Sequence, residues 1–431
     1  MASSLPYLDK INKKIATGNH DAELYVSLSL VIGIFCGLCL LYLFLWPTQM
    51  VVNCIVLFIT SVVWLPVVAF RFWIFSTVKT RRAEFIKNAK TVLLEIKIPD
   101  GGVEASAMEA FFTSMHIGPG ESNWYKKYVK GTSRPWFSFE IASFGGHIRY
   151  FVWTRIPLRS AIENFMYAQY PGAEVIEVED YSLLRDPSTS EYKISAFEFK
   201  KSKSIGLPIK PLDKYGDTKT DPLNGLLEIM ASIPKGEEMW IQYVSRVAKG
   251  ELWRDGSMNW GKMAKKTAKD YRAAMQGQGK DDFMAPSPLE GEVLQAIEVN
   301  ASKPAYDVGV RVIYSCPKSQ NLLNGMVVPN MFKSFGSEVY NNLSLLPVLG
   351  NKTQGFPWED KKGERAAREF VRGVHMYRRR QFFHPPYRGE WTQMSAGELA
   401  TLWHIPARST RLSTIAAKEG IHKSAPDNLP V

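Results

Sequence analysis

Cysteine is scarce: four in 431 residues. So few in a chain this long excludes a disulfide-stapled miniprotein. Histidine is scarce as well. His20, His116, His147, His375, His384, His404 and His422 stand far apart, with no HExxH and no paired cysteines in the polar part, so no zinc motif can be written. A phosphate loop is missing too. The nearest match runs from Gly256 to Met263, GSMNWGKM. It puts Met263 where Ser or Thr must hold magnesium, and Trp260 where backbone amides must crowd the phosphates. Glu177, Glu179 and Asp180 read as ordinary solvation of a strand end. No catalytic, cofactor-binding or metal residue follows, and the expectation is a non-enzymatic protein without cofactor. Charge itself is absent from Leu24 to Phe70, 47 residues without Asp, Glu, Lys or Arg.

That last absence is the strongest signal. A bilayer core of about 30 Å takes about 20 apolar residues per helix. The run therefore suits two spans, Leu24 to Trp46 and Val51 to Phe72, with Pro47, Thr48 and Gln49 as the turn. Pro66 falls inside the second span, where a kink is tolerated. A cleaved signal peptide would be shorter and closer to the start. A buried soluble hairpin would carry a polar stripe. Lys10, Lys13 and Lys14 precede the run; Arg71, Lys79, Arg81, Arg82, Lys87 and Lys90 follow it. Positive flanks stay inside, so both termini are expected in the cytoplasm, and Cys316 is expected to be a free thiol there. Cys36 and Cys39, inside the apolar run, read as small apolar residues.

The rest is ordinary for a folded chain: 45% hydrophobic, 22% charged, and net +11 from 53 basic and 42 acidic residues. Alternation and helical spacing give strands at 92–98, 136–143, 147–154 and 173–178, with helices at 103–116 and 158–170. Gly145-Gly146 makes a hairpin turn between the middle strands. The order β-α-β-β-α-β is the ferredoxin-like pattern. A second unit repeats it loosely: strands at 192–199, 239–247 and 308–315, a helix from Asp221-Pro222 to Ile233, and a helix at 322–335. Ser395 is placed to cap a short helix through Leu402, and beyond Pro406 the chain reads as a tether.

The fold class expected is thus α+β, a two-helix transmembrane hairpin followed by ferredoxin-like domains. The segments are 1–22 (cytoplasmic), 23–75 (hairpin), 76–90 (basic juxtamembrane helix), 91–181 (first α+β domain), 182–350 (second, with a basic helical insertion at about 250–304) and 351–431 (an Arg- and aromatic-rich tail).

Two basic clusters stand out. In the insertion, Lys262, Lys265, Lys266 and Lys269 recur at helical spacing, followed by Arg272. In the tail, Arg378, Arg379 and Arg380 sit among Tyr377, Phe382 and Phe383. Lysine rows and arginines beside aromatics suit phosphates and stacked bases. The lysines also suit a solvated helix face, a lipid surface or a partner protein, and the arginines a contact with a partner protein or between domains.

Several stretches resemble the membrane-anchored N-terminal part of type IV secretion or conjugation ATPase-like proteins of candidate-phylum bacteria. They are TVLLEIKIP (91–99), SAMEAFFTSMH (106–116), FSFEIAS with GGHIRYFVWTR (137–155), ENFMYAQYPGAEVIEVEDY (163–181), DPLNGLLEIMASIPKGEEMWIQ (221–242), DVGVRVIYSCPK (307–318), YRRRQFFHPPYRGE (377–390) and SAGELATLWHIP (395–406). The resemblance implies a bacterial inner-membrane location and a DNA-translocation or secretion machine driven by a HerA-like P-loop ATPase. No ATPase residue can be carried onto this chain, so the motor is expected to be a separate polypeptide, or this chain a split or truncated member. Two functions follow as expectations. One is an anchor that docks the ATPase, in a homo-oligomer by analogy with ring motors. The other is a membrane-tethered DNA-binding protein using the two basic clusters.

Overall fold

The computed structural model describes residues 37, 47–97, 105–118, 125–183, 191–218, 221–248, 260–276, 288–318, 327–346, 364–384 and 389–406. They fall into two compact units. One comprises residues up to Asn88 together with Glu121–Ser133; the other comprises Ala89–Gly120 and the chain from Arg134 on.

The first unit is built on α1, Pro47–Asn88, 42 residues long. The expected turn at Pro47 to Gln49 is instead the opening of this helix. Proline suits a first helical turn, where its missing N–H has no partner to lose. The juxtamembrane stretch from 76 is likewise no separate element, since α1 runs through it. Pro66 lies inside the helix without ending it. The other expected span, 24–46, lies outside the described residues apart from Gly37, which is helical.

The second unit is α+β. Its strands are β1 (Thr91–Lys97), β2 (Phe137–Phe144), β3 (His147–Arg155), β4 (Glu174–Val178), β5 (Tyr192–Lys201), β6 (Glu238–Val247), β7 (Ala305–Pro317), β8 (Leu343–Leu346) and β9 (Thr392–Ser395). Its helices are α2 (Ala105–Ser114), α3 (Arg159–Gln169), α4 (Asn224–Ala231), α5 (Trp260–Gln276), α6 (Pro288–Ser302), α7 (Val327–Asn330), α8 (Glu364–Arg378) and α9 (Ala396–Leu402). Nine strands form one antiparallel sheet in the order β4-β1-β3-β2-β6-β7-β5-β8, with β9 beside β7. The stretches expected as separate domains, 91–181 and 182–350, are thus joined edge to edge. Strand β2 pairs β6 over eight residues, from Phe137 opposite Ser245 to Phe144 opposite Glu238. Each half places its four strands in the same relation to chain order. The α5–α6 pair is inserted between β6 and β7 of the second half.

Local chemistry explains the elements. Gly145 and Gly146 have φ of 58° and 89°, the left-handed pair that a two-residue hairpin turn needs. Ser395 caps α9 with a complete capping box, its hydroxyl accepting from the Glu398 N–H while the Glu398 carboxylate accepts from the Ser395 N–H. The helix expected from Pro222 starts two residues later. Asp221 spends its carboxylate on the Leu223 N–H, 2.8 Å away, in the local turn that aspartate favours. The helix expected at 322–335 shortens to α7 and a 3-10 turn at Lys333–Phe335, with 319–326 outside the described residues. Much of the expected tail is part of the fold: β9 extends the sheet and α9 is buried. The tether expected beyond Pro406 lies outside the described residues.

One sheet face carries the apolar core. Alternate strand residues such as Leu94, Phe139, Val152, Ile241, Val312 and Phe199 are buried there with Phe111 and Phe112 of α2. The Phe112 and Phe139 rings meet edge to face at 4.8 Å. Trp403 lies 5.2 Å from Phe139, bringing the chain after α9 into the same core.

Candidate functional site

The opposite face is polar and almost as dry. Register places Glu140 of β2 opposite Gln242 of β6, Gln242 opposite Arg311 of β7, and Arg311 opposite Glu198 of β5. All four side chains are buried. Arg311 donates to Glu198 at 2.7 Å (Nη2) and 3.1 Å (Nε) and to Gln242 at 3.3 Å. Gln242 donates to Glu140 Oε1 at 3.0 Å and to the Tyr377 carbonyl at 3.1 Å.

Arg380, just past α8, closes the row. Its φ is 48°, a left-handed conformation rare for a side chain of this size. Its guanidinium is fully buried and bridges two carboxylates. It reaches Glu140 at 2.9 and 3.1 Å and clamps Asp180 through both terminal nitrogens. Tyr181 donates to Glu140 Oε2 at 2.7 Å and shares a 2.6 Å contact with the Tyr377 hydroxyl. Burial first, then the neighbouring carboxylate, holds both phenols well above their ordinary value, so they stay protonated. Burial opposes ionisation of Asp180, but the Arg380 charge and hydrogen bonds outweigh it and its carboxyl is lowered.

A second group extends this layer. Arg246 bonds Asp307 at 2.9 Å, Arg134 lies 3.7 Å from the same carboxylate, and Gln393 of β9 donates to it at 3.1 Å. Aromatic rings lid the guanidiniums. Phe382 lies 4.8 Å from Arg311, and Phe383 lies 4.2 Å from Arg246. A Cβ on Gly309 of β7 would stand 2.4 Å from the Phe382 ring. The missing side chain is what lets that ring lie flat on the sheet. Across this face, Arg134, Arg246, Arg311 and Arg380 are matched by Glu140, Asp180, Glu198 and Asp307. These four cations and four carboxylates offset one another.

The two basic clusters of the sequence therefore have opposite fates. Arg380 is turned into the sheet, and Arg378 donates to the Ser182 carbonyl at 2.8 Å. Arg379 is exposed. Arg380, a candidate for a phosphate, a partner protein or an interdomain contact, packs inside the fold and holds α8 down; its planar fork and aromatic neighbours suit burial. Asp180, expected to be solvated, is its partner. The insertion behaves differently. Trp260, Ala264 and Ala268 of α5 are buried, while Lys262, Lys265, Lys266 and Lys269 are exposed on the other side. At 100° per residue these lysines span an arc of about 100°. Arg272 pairs with Glu298 of α6.

Sequence reasoning passed over Glu140, Glu198 and Arg311. The signal was present: one charge midway along an apolar strand, in FSFEIAS, AFEF and VGVRVIYS. A charge so placed must be paired inside the fold. Cys316 is a free, buried thiol whose ionisation is pushed up by burial. Among the described residues no group of three or more His, Cys, Asp or Glu is arranged to hold a metal ion. One helix among them, Val51–Asn88, is long and apolar enough to cross a membrane, with mean hydropathy 2.4 and none of that window buried.

The sequence matches the family described as Domain of unknown function (DUF8128) over residues 75–418. No curated protein matches it. The match covers most of the chain, which belongs to that family. Its matched region takes in the whole sheet and both basic clusters.

Proposed function

We propose that this DUF8128 protein is a non-enzymatic inner-membrane component of a type IV secretion- or conjugation-like DNA-translocation machine, docking a separately encoded P-loop ATPase. The observation that carries the reading is α1, an apolar helix whose hydrophobic window is left unburied among the described residues. In this reading a second span precedes it, both termini face the cytoplasm, and each half of the sheet is a ferredoxin-like unit. The strand orders β4-β1-β3-β2 and β8-β5-β7-β6 support the last point. The polar sheet face supports a scaffold role, since its charges are spent on holding the C-terminal elements to the domain. A homo-oligomer follows by analogy with ring-shaped motors.

The experiment is co-purification of the ATPase with the full chain from detergent-solubilised membranes. Because β9 and α9 belong to the sheet domain, the informative deletion removes 407–431 alone. Loss of the ATPase on that deletion is expected; normal recovery would overturn docking through the tail.

The exposed lysines of α5 favour a second reading, DNA binding at the membrane. Their axial step, about 5 Å per turn, is of the same order as the spacing of phosphates along a strand. Each contacted phosphate contributes about 0.9 to the slope of log affinity against log salt. Replacing Lys262, Lys266 and Lys269 by Gln is expected to lower that slope by about 2 to 3. An unchanged slope removes this reading.

A further inference from the structure

The helix-bearing unit contains a feature that neither reading uses. Residues Tyr125–Val129 form a single π-helical turn, closed by hydrogen bonds from Lys130 N–H to the Tyr125 carbonyl at 3.1 Å and from Thr132 N–H to the Lys126 carbonyl at 3.0 Å. This turn lies on α1. Gly131, at φ 64°, approaches so closely that a Cβ there would stand 2.7 Å from the Arg81 carbonyl carbon and the Arg82 nitrogen. Only glycine permits such backbone-to-backbone contact in a left-handed conformation. A segment some fifty residues away in the chain is thereby fastened to the helix where its basic stretch lies.

The charge gathered there is one-sided. Residues 71–88 hold Arg71, Lys79, Arg81, Arg82 and Lys87 against Glu84; residues 125–133 add Lys126, Lys127 and Lys130 with no acid. Lys79, Arg81, Lys87, Lys126 and Lys130 are exposed, and so is Tyr125, at 54%. The level along α1 fits a bilayer surface. Phe72 and Trp73 are exposed at the end of the apolar stretch, as interfacial aromatics are. Lys79 to Arg82 follow about 9–14 Å further on. Headgroups occupy about 5–7 Å of that, and a Debye length of about 8 Å covers the remainder.

We infer that the turn at 125–133 and the basic end of α1 form one collar that binds the anionic headgroups of the bilayer α1 enters. This inference rests on the membrane-spanning reading of α1. The collar's cations come from two distant stretches of sequence, so its strength depends on where the turn is held and not only on total charge.

The test uses the full chain in phosphatidylcholine vesicles, with spin-labelled phosphatidylglycerol or phosphatidylcholine as probe lipid. The readout is the relative association of the two lipids with the protein. The wild type is expected to prefer phosphatidylglycerol. Lys126→Glu with Lys130→Glu should cut that preference about threefold. Gly131→Val, which changes no charge, should cut it about twofold by lifting the turn from α1. Lys262→Glu with Lys266→Glu, an equal charge change on α5, should leave it intact. A preference unmoved by the first two variants, or lowered equally by the third, overturns the collar. So does duplex DNA that displaces the labelled lipid at physiological salt, which would make the surface a nucleic-acid site. Failure of the chain to enter vesicles at all, read by flotation before any lipid measurement, counts against the membrane reading itself.

Discussion

The helix α1 and the sheet domain invert each other's surfaces. Along α1, Phe58, Val62 and Val63 are 79%, 76% and 75% exposed; across the polar sheet face, Glu140, Arg311 and Arg380 are all at 0%. One region shows what proteins ordinarily bury, and the other buries what they ordinarily show. Such an inversion is what two different solvents would produce, as the proposed membrane insertion of α1 requires. Each large apolar side chain left in water forgoes about 1.5–3 kcal/mol, which a helix of this length would forfeit many times over. In the proposed membrane setting, lipid would remove that cost. The sheet's charges lost water as well, and they recover it from one another through short, forked hydrogen bonds.

The largest effect is expected at Arg380. Arg380→Met should lower stability by about 3–5 kcal/mol, because it leaves Glu140 and Asp180 buried without their cation. Urea unfolding of the sheet domain reads this, and a change within error would mean the layer is not what secures α8. The helix is tested next. Val62→Arg puts a charge near the middle of the apolar stretch and should cost about 3 kcal/mol of insertion, seen as a shift of the chain from membrane to soluble fraction. At the end of the sheet, Ser395→Ala should cost about 1 kcal/mol by removing the α9 cap, read as a lower urea midpoint. Weakest is the pair of exposed Arg149 and buried Glu95, bonded at 2.5 and 2.6 Å. The Arg149 hydrogen bonds hold the Glu95 carboxyl below its usual range. Its contribution is therefore full above the unfolded carboxylate value of about 4.3 and fades as pH falls through the folded one. Arg149→Gln should flatten that acid loss by less than about 1 kcal/mol, since solvent screens the pair.

Much of the sheet was legible because period-two alternation survives burial. The β1–β4 half and the cores of β5, β6 and β7 fall where the apolar residues alternate. The short pieces were not: β8 has four residues and β9 four, too few for a period to register. The edge-to-edge union of β2 and β6 was invisible too, because pairing between distant strands leaves no local pattern. The basic clusters were legible as charge but not as placement. Lysines separated by Ala264 and Ala268 kept a surface helix, whereas Phe382 and Phe383 cover Arg311 and Arg246, and Arg380 beside them lies over the Trp153 ring. The chain reversal at Arg380, which decides the matter, depends on Glu140, some 240 residues earlier.

The claim on which the rest stands is that α1 lives in a bilayer. Extraction of membranes at alkaline pH with sodium carbonate tests it directly on the full chain. The intact protein is expected to stay in the membrane pellet, and Val62→Arg to shift it toward the supernatant. Release of the intact wild-type chain into the supernatant would contradict it.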